Sequence, residues 1–433
     1  MREMKDSGVE WIGEIPEEWM IGKTIYALQM PITDGPHETP DLFDEGVPFV
    51  SAEAVSCGNG HIDFDHIRGY ISREFYKECC KKYIPRVKDI YMIKSGATTG
   101  KVALVEEKRL FTIWSPLAVF RCEEEICYYK YLFYFLQSDA YQKQIENKWT
   151  YGTQQNIGMR MLEKLLICFP PIKEQARIAK YLDEKCTRID VAIEKQQSII
   201  EKLKEYKSSI INEAVTKGLN RNVRVRKSGH RWIEDIPEYW EMVYAKKIFA
   251  QRKDRAYDTD EQLTSSQKYG IISQKTFMEL EGRQVMQVLK GEEILKHVEK
   301  GDFVISMRSF QGGLEYSKVT GKISSAYVML IPNQEFVYDN YYKWLFKSKK
   351  YISALQGTSN LIRDGQALRF SNFIQVYLPN PSIAEQKDIA DYLDKKCPKI
   401  DDAISKRISL VNKLIEYKKS LIYEVVTGKR ELQ

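Results

Sequence analysis

The 433-residue sequence is poor in the residues that metal and redox sites need. It has only five histidines, and none stands in a cluster with metal-ligand spacing. Its eight cysteines follow no framework: Cys79 and Cys80 are adjacent, and Cys122 and Cys127 are too far apart for a CxxC pair. A disulfide scaffold or zinc site is therefore not expected, and buried free thiols are. The opening stretch MREMKDSGVEWIGEIPEEW has no apolar core of the kind a secretory signal requires. No apolar run approaches the ~18 residues needed to span a bilayer. These absences point to a cytoplasmic protein with no membrane partner. Neither sign of charge dominates, with 66 basic against 60 acidic residues and a net charge of +6. Such an excess permits nucleic-acid binding without arguing for it.

Apolar and aromatic residues are plentiful. Hydrophobic residues make up 43% of the chain and aromatic residues 12%, which supplies real cores and rules out global disorder. The 27 tyrosines also suit a recognition surface. The length allows about two to four domains of ordinary size.

The main signal is an internal repeat. WIGEIPEEW from Trp11 to Trp19 returns as WIEDIPEYW from Trp232 to Trp240, at an offset of 221. A longer stretch, Pro170–Thr216, returns as Pro381–Thr427 at an offset of 211, with more than half of its positions identical. Between these anchors the copies barely align, and the first intervening region is ten residues longer. The period is too long for a solenoid. It marks a duplicated unit whose helical part is nearly fixed and whose globular part is free to vary.

In the fixed part, Glu174-Gln175 opens a short amphipathic stretch carrying Ile178 and Leu182. A longer stretch follows with Ile189, Ile193, Gln196, Ile200, Leu203, Lys207, Ile210 and Ala214 at alternating spacings of four and three. That is a heptad seam, and Ile400, Ile404, Arg407, Val411, Leu414, Lys418, Leu421 and Val425 repeat it. Thr187 and Pro398 occupy equivalent positions and both suit a helix start, so the long helix is expected to begin there. It would end near Thr216 and Thr427, where Lys-Gly and Gly-Lys follow. About 28 residues at ~1.5 Å each make a helix of about 42 Å. An exposed seam needs a partner. The matching seam of the other copy would give an antiparallel pair with a globular domain at each end; the alternative is that each helix packs only on its own domain.

The variable regions, 20–169 and 241–380, read as mixed α/β. Strands are expected at Val47–Ala52, Asp89–Ile93, Leu117–Arg121, Asp302–Met307 and Ala326–Ile331. Tyr128–Gln137 and Tyr338–Phe346 carry aromatics at helical spacing and are expected to be core helices. Two pairs of polar, glycine-containing loops stand out. The first is Lys94-Ser95-Gly96-Ala97-Thr98-Thr99-Gly100-Lys101, with Arg308-Ser309-Phe310-Gln311-Gly312-Gly313 as its loose counterpart. The second is Thr150-Tyr151-Gly152-Thr153-Gln154-Gln155-Asn156, matched by Gln356-Gly357-Thr358-Ser359-Asn360 with Arg363 beyond. Such side chains pair with base edges and phosphate oxygens, although polar glycine-rich loops also serve as plain turns.

No catalytic motif is complete. Gly96–Val102 is one residue short of a phosphate-binding loop and has Val102 where Ser or Thr should hold magnesium. Cys168-Phe169-Pro170-Pro171 and Asn380-Pro381-Ser382 only brush against the motif of amino-methyltransferases. Glu292-Glu293-Ile294-Leu295-Lys296 does not make a nuclease site in a chain this charged. Any chemistry is expected to belong to a partner.

The repeated motifs resemble those of specificity subunits of type I restriction-modification systems. The resemblance rests on the WIGEIPEEW opening, the Pro-Ile-x-Glu-Gln-x-x-Ile-Ala-x-Tyr-Leu-Asp segment, the Ile-Asp-x-Ala-Ile helix start and the Glu-Tyr-Lys…Val-Thr end, all present twice. It implies an α+β fold, pseudo-two-fold, in which two mixed α/β target-recognition domains are separated by two long helices forming an antiparallel coiled coil. The expected boundaries are 1–169 and 219–380 for the recognition domains, with 170–218 and 381–433 as the helical segments. It further implies that each recognition domain reads one half of an asymmetric bipartite site on double-stranded DNA. The helices would set the spacer and dock two methyltransferase subunits, which bind S-adenosylmethionine, and motor-nuclease restriction subunits would join. The chain itself would hold no cofactor and perform no catalysis. A coiled-coil scaffold whose globular ends bind proteins is the alternative from a different class.

Overall fold

The computed structural model describes residues 2–151, 155–282, 294–358 and 368–432. The chain forms two compact units, Met1–Gln196 with Ser409–Gln433, and Gln197–Ile408.

Each unit is built on a four-stranded antiparallel sheet. In the first unit the strands are β1 (Thr33–Asp34), β2 (Ile90–Ile93), β3 (Val102–Leu104) and β4 (Leu117–Phe120), in the order β1-β4-β2-β3. In the second they are β5 (Phe249–Arg252), β6 (Phe303–Ile305), β7 (Glu315–Tyr316) and β8 (Val328–Pro332), in the order β5-β8-β6-β7. The topology is the same although the sequences barely align. Four of the five expected strands supply these sheets, and the fifth, Val47–Val50, pairs beside the first.

The strands read as unbroken apolar runs because both faces of each sheet are covered. Ile90 and Met92 of β2 enter a core shared with helical residues, whereas Tyr91 and Ile93 enter a second core on the other face. In the second unit Phe303 and Ile305 take the first role and Val304 the second. The expected core helices are present at Tyr129–Gln137 and Asp339–Lys347, with Tyr131, Phe135, Tyr341 and Phe346 fully buried.

The helical part differs from expectation in one respect. There is no break before Thr187 or Pro398. One helix runs from Ile172 to Lys217, 46 residues, and another from Ile383 to Val426, 44 residues with Pro398 inside it. At ~1.5 Å per residue they are each about 66–69 Å long rather than 42 Å. Pro398 is tolerated because it lies on the exposed side, where water can satisfy the carbonyl left without an N–H partner.

Every position of both seams is buried or half-buried. The two lysines in the seams reach across to the other helix. Lys418 Nζ lies 2.7 Å from Asp190 in the first unit, and Lys207 Nζ lies 2.7 Å from Asp401 in the second. Asp190 and Asp401 are repeat equivalents, as are Lys207 and Lys418, so one antiparallel pair is made twice. Each long helix also packs on globular structure at both ends. Ile178 and Leu182 join the core of the domain that precedes them, and Ile210 and Val215 join the core of the domain that follows. The second helix does the same with Ile389 and Leu393, then Leu421 and Val425. Own-domain packing and pairing of the two helices therefore coexist.

The repeated motifs are the joints of this arrangement. Glu174 accepts the indole N–H of Trp19 at 3.1 Å and a guanidinium N–H of Arg2 at 2.6 Å; Glu385 accepts from Trp240 and Tyr239, both at 3.0 Å. Gln175 accepts from the Tyr128 N–H at 2.8 Å and donates to the carbonyls of Ile126 and Pro170. Gln386 does the same for Tyr338, Phe336 and Pro381. Both glutamines are buried, so each satisfies backbone groups that have no access to water. The helix C-termini are held in matching fashion. The Tyr341 hydroxyl donates to Val215 O at 2.9 Å, and the Tyr131 hydroxyl lies 3.1 Å from Val426 O. Gly218 and Gly428 then take left-handed conformations, φ 72° and 73°. A side chain on Gly428 would meet Pro16 and Trp19, and one on Gly218 would meet Trp240.

Among the described residues no helix is long and apolar enough to cross a membrane.

Candidate nucleic-acid interface

The loop from Lys94 to Lys101 is the turn between β2 and β3 and projects beyond the edge of the buried sheet. The structure brings it against the second loop of its pair. The Gly96 N–H donates to Gln155 O at 2.9 Å, the Ile157 N–H donates to Lys94 O at 2.9 Å, and Ser95 bridges to Asn156. Thr150–Tyr151 and Gln155–Asn156 pair as a short hairpin. Thr153 and Gln154 lie outside the described residues, as does the side chain of Tyr151.

Within this cluster the side chains divide by exposure. Lys101 and Asn156 are exposed, and Ser95, Thr98, Thr99 and Gln155 are half-buried. Thr99 donates to Gly96 O at 2.8 Å, which commits its hydroxyl to the turn. Lys94 is turned inward. Its ammonium is mostly covered and sits 3.3 Å from the fully buried Asp34 carboxylate, so its charge is already matched inside the protein.

Asp34 is the residue that sequence reasoning missed. Three side chains surround it: the ammonium groups of Lys94 and Lys82, and the exposed imidazole of His37 at 3.2 Å. Gly35 follows where a side chain would run into Ile113 O, and Lys94 N donates to Pro116 O at 2.8 Å. The segments 34–37, 94–101 and 114–116 thus meet at one end of the sheet. Arg68 stacks 4.7 Å over the Trp114 ring at the same place. The available signal was Asp-Gly-Pro-His at 34–37: a turn motif with a buried-type carboxylate next to a histidine. Nothing local tied it to Lys82 or Lys94.

In the second unit the equivalent turn joins β6 to β7 and contains a short helix, Ser309–Gly312. Arg308 and Gln311 are exposed on it. Ser309 is fully buried, and its hydroxyl accepts the Ser306 N–H at 2.8 Å to hold the turn. Gly313 has φ 76° and lies where a side chain would collide with Phe346 O, so the turn cannot lengthen inward. Thr358 closes the helix Lys349–Gln356, donating to Leu355 O at 2.7 Å and accepting from Asn372 at 3.0 Å through its carbonyl. Ser359, Asn360 and Arg363 lie outside the described residues.

At the end of β2 and of β6 opposite the turn, a buried carboxylate is clamped by arginine. Asp89 receives Arg121 at 2.7 Å, and burial pushes the neighbouring Tyr83 and Tyr91 hydroxyls up, so they stay neutral. Asp302 receives Arg252 at 2.7 Å, and that hydrogen bond raises the guanidinium pKa further. Arg121 directly follows β4, whereas Arg252 ends β5. These groups are fixed and sealed, and they do not face solvent. Among the described residues, the exposed polar groups of these turns are not gathered into an enclosed pocket. The chemistry on offer is hydrogen bonding and charge presented on stiffened turns, which suits reading a polyanion.

Comparison with known proteins bears on this arrangement. A family model described as a type I restriction modification DNA specificity domain matches residues 36–205 and again 237–409. The chain belongs to that family. It is thus a specificity subunit, a non-catalytic DNA-recognition component of a restriction-modification system. Two proteins of Methanocaldococcus jannaschii are similar to it. One is named as the MjaX type I restriction enzyme specificity subunit and is 28% identical, over 96% of this chain and 95% of its own length. The other, the MjaVIII specificity subunit, is 24% identical over 85% of each chain. A solved chain from work on complex assembly and conformational transition of the type I R-M system has a TM-score of 0.69 at 14% identity, covering 96% of this chain and 99% of its own. That likeness concerns the fold.

Proposed function

We propose that this specificity subunit reads an asymmetric bipartite site on double-stranded DNA, each compact unit addressing one half-site. The observation that carries the reading is the contrast within the duplication. Sheet order, helix seams and joints are the same in both units, whereas the turns at the sheet ends differ in length, sequence and charge. Equal scaffolds with unlike turns fit unlike half-sites.

The long helices supply the spacer between half-sites and the dock for two modification subunits. Tyr206 and Tyr417, and likewise Ile172 and Ile383, are repeat equivalents that stay exposed on the helices. A duplicated apolar surface suits two copies of one partner. The partner would bring S-adenosylmethionine and methylate adenine, and restriction subunits would join the assembly in the cytoplasm.

The test is sequencing of modified bases in the host genome with and without this gene. Loss of a two-part adenine-methylation motif on deletion is the expected result. An expressed locus whose deletion changes no methylated motif sinks the proposal. A mobility shift with the assembled complex separates it from a protein-binding scaffold, which would prefer no duplex sequence.

A further inference from the structure

The second unit contains a cleft of about 690 Å³ that the sequence reading did not single out. His230, Arg231 and Trp232 form one wall, Lys349 and Lys350 another, and Tyr377 part of the floor. Among the described residues no carboxylate lines it. Arg231, Lys349 and Lys350 are all exposed, and none is in an ion pair among the described residues. Lys349 and Lys350 open the helix Lys349–Gln356, so a helix amino end adds its positive potential. His230 stacks on Tyr377 with ring centroids 4.4 Å apart, and Trp232 donates to Tyr377 O at 3.1 Å, which fixes the wall.

One change between the copies falls in the cleft. In the first unit Gln144 lies across the start of the strand Leu166–Phe169, accepting from Leu166 N and donating to Leu166 O, both at 2.9 Å. The repeat position in the second unit is Ala354, and the space the glutamine would fill is open. The charges change with it. Where the second unit has Arg231, Lys349 and Lys350, the first has Glu10, Asp139 and Ala140.

We propose that this cleft holds a backbone phosphate of duplex DNA flanking the half-site addressed by the second unit. The inference rests on the bipartite-DNA reading and extends it. Clustered, unpaired cations with hydroxyls beside them match a phosphate group. Thr358, at the start of a candidate reading segment, lines the same cleft. A site present in one unit cannot serve two identical partner subunits docked on duplicated surfaces, but it can serve one of two unlike DNA half-sites.

The experiment uses the full chain assembled with its modification subunits, a duplex carrying the methylated motif, and an unrelated duplex. Binding is measured across a salt series for the triple variant Arg231→Gln, Lys349→Gln, Lys350→Gln and, separately, for Ala354→Gln, which fills the cleft and keeps the charges. Both variants should weaken binding to the two duplexes alike and lower the slope of log affinity against log salt by about one, the release expected for one phosphate. The methylated motif should stay the same. An unchanged slope in both variants, while Lys101→Ala and Arg308→Ala still weaken binding, overturns the cleft and leaves the DNA reading intact. An altered motif overturns it in favour of base reading, and loss of assembly overturns it in favour of a protein dock. If the unmodified complex prefers no duplex at all, the underlying reading fails instead.

Discussion

Arg308 and Ser309 are neighbours in the chain with opposite duties. Arg308 is exposed with its charge available, while Ser309 is buried and holds the turn. Replacing Arg308 with Ala should lower the salt slope of DNA binding by about 0.9 and leave thermal stability unchanged. Replacing Ser309 with Ala should do the reverse, costing about 1–3 kcal/mol by leaving the Ser306 N–H unsatisfied. Parallel melting curves and salt titrations check both. A comparable contrast lies in the two cores. The Tyr141 hydroxyl reaches Thr24 Oγ1 at 3.3 Å and Leu162 O at 3.4 Å, but the equivalent Tyr351 hydroxyl is buried with no hydrogen-bond partner among the described residues, and Ala245 stands where Thr24 does. Thr24→Ala should therefore be tolerated, with a loss of about 1 kcal/mol measurable by denaturant titration. Residue types announced which groups could bind DNA, yet not which way they pointed. Lys94 and Ser309 have suitable chemistry and are turned inward; Asp34 gathers partners 48 and 60 residues away, which no local pattern reveals.

Among the elements, the strands and core helices were legible because apolar runs and aromatic spacing state burial directly. The heptad seam was legible for the same reason. The helix start was not. A proline or threonine just before a clean seam looks like a first turn, and only the preceding Ile178–Leu182 stretch, packed in continuous register, shows that the helix has already begun. Which helix end seals which core was hidden too, since that choice is made by contacts hundreds of residues apart. The continuous helix gives its own prediction. Pro398→Thr should raise stability by as much as ~3 kcal/mol, because it restores a helical N–H and its equivalent is already threonine in the first copy. Ile200→Asp should have the opposite effect: an unpaired charge in the seam should abolish assembly with modification subunits before it touches the loops. Pull-down of the partner subunits with intact DNA-facing turns reads that out, and full assembly of Ile200→Asp would refute the seam.

For the molecule as a whole, the ends of the long helices carry a lesson about connectivity. Gly218 settles against Trp240, which lies a short way along the same stretch of chain. Gly428 settles against Pro16 and Trp19 in the same manner, although more than four hundred residues separate them in sequence. Both sockets are closed by side-chain packing, whatever the distance along the chain. A chain cut at 219–224 by a site-specific protease should stay one particle on gel filtration and keep its methylation motif, because packing and not the intervening peptide holds each helix end to its domain.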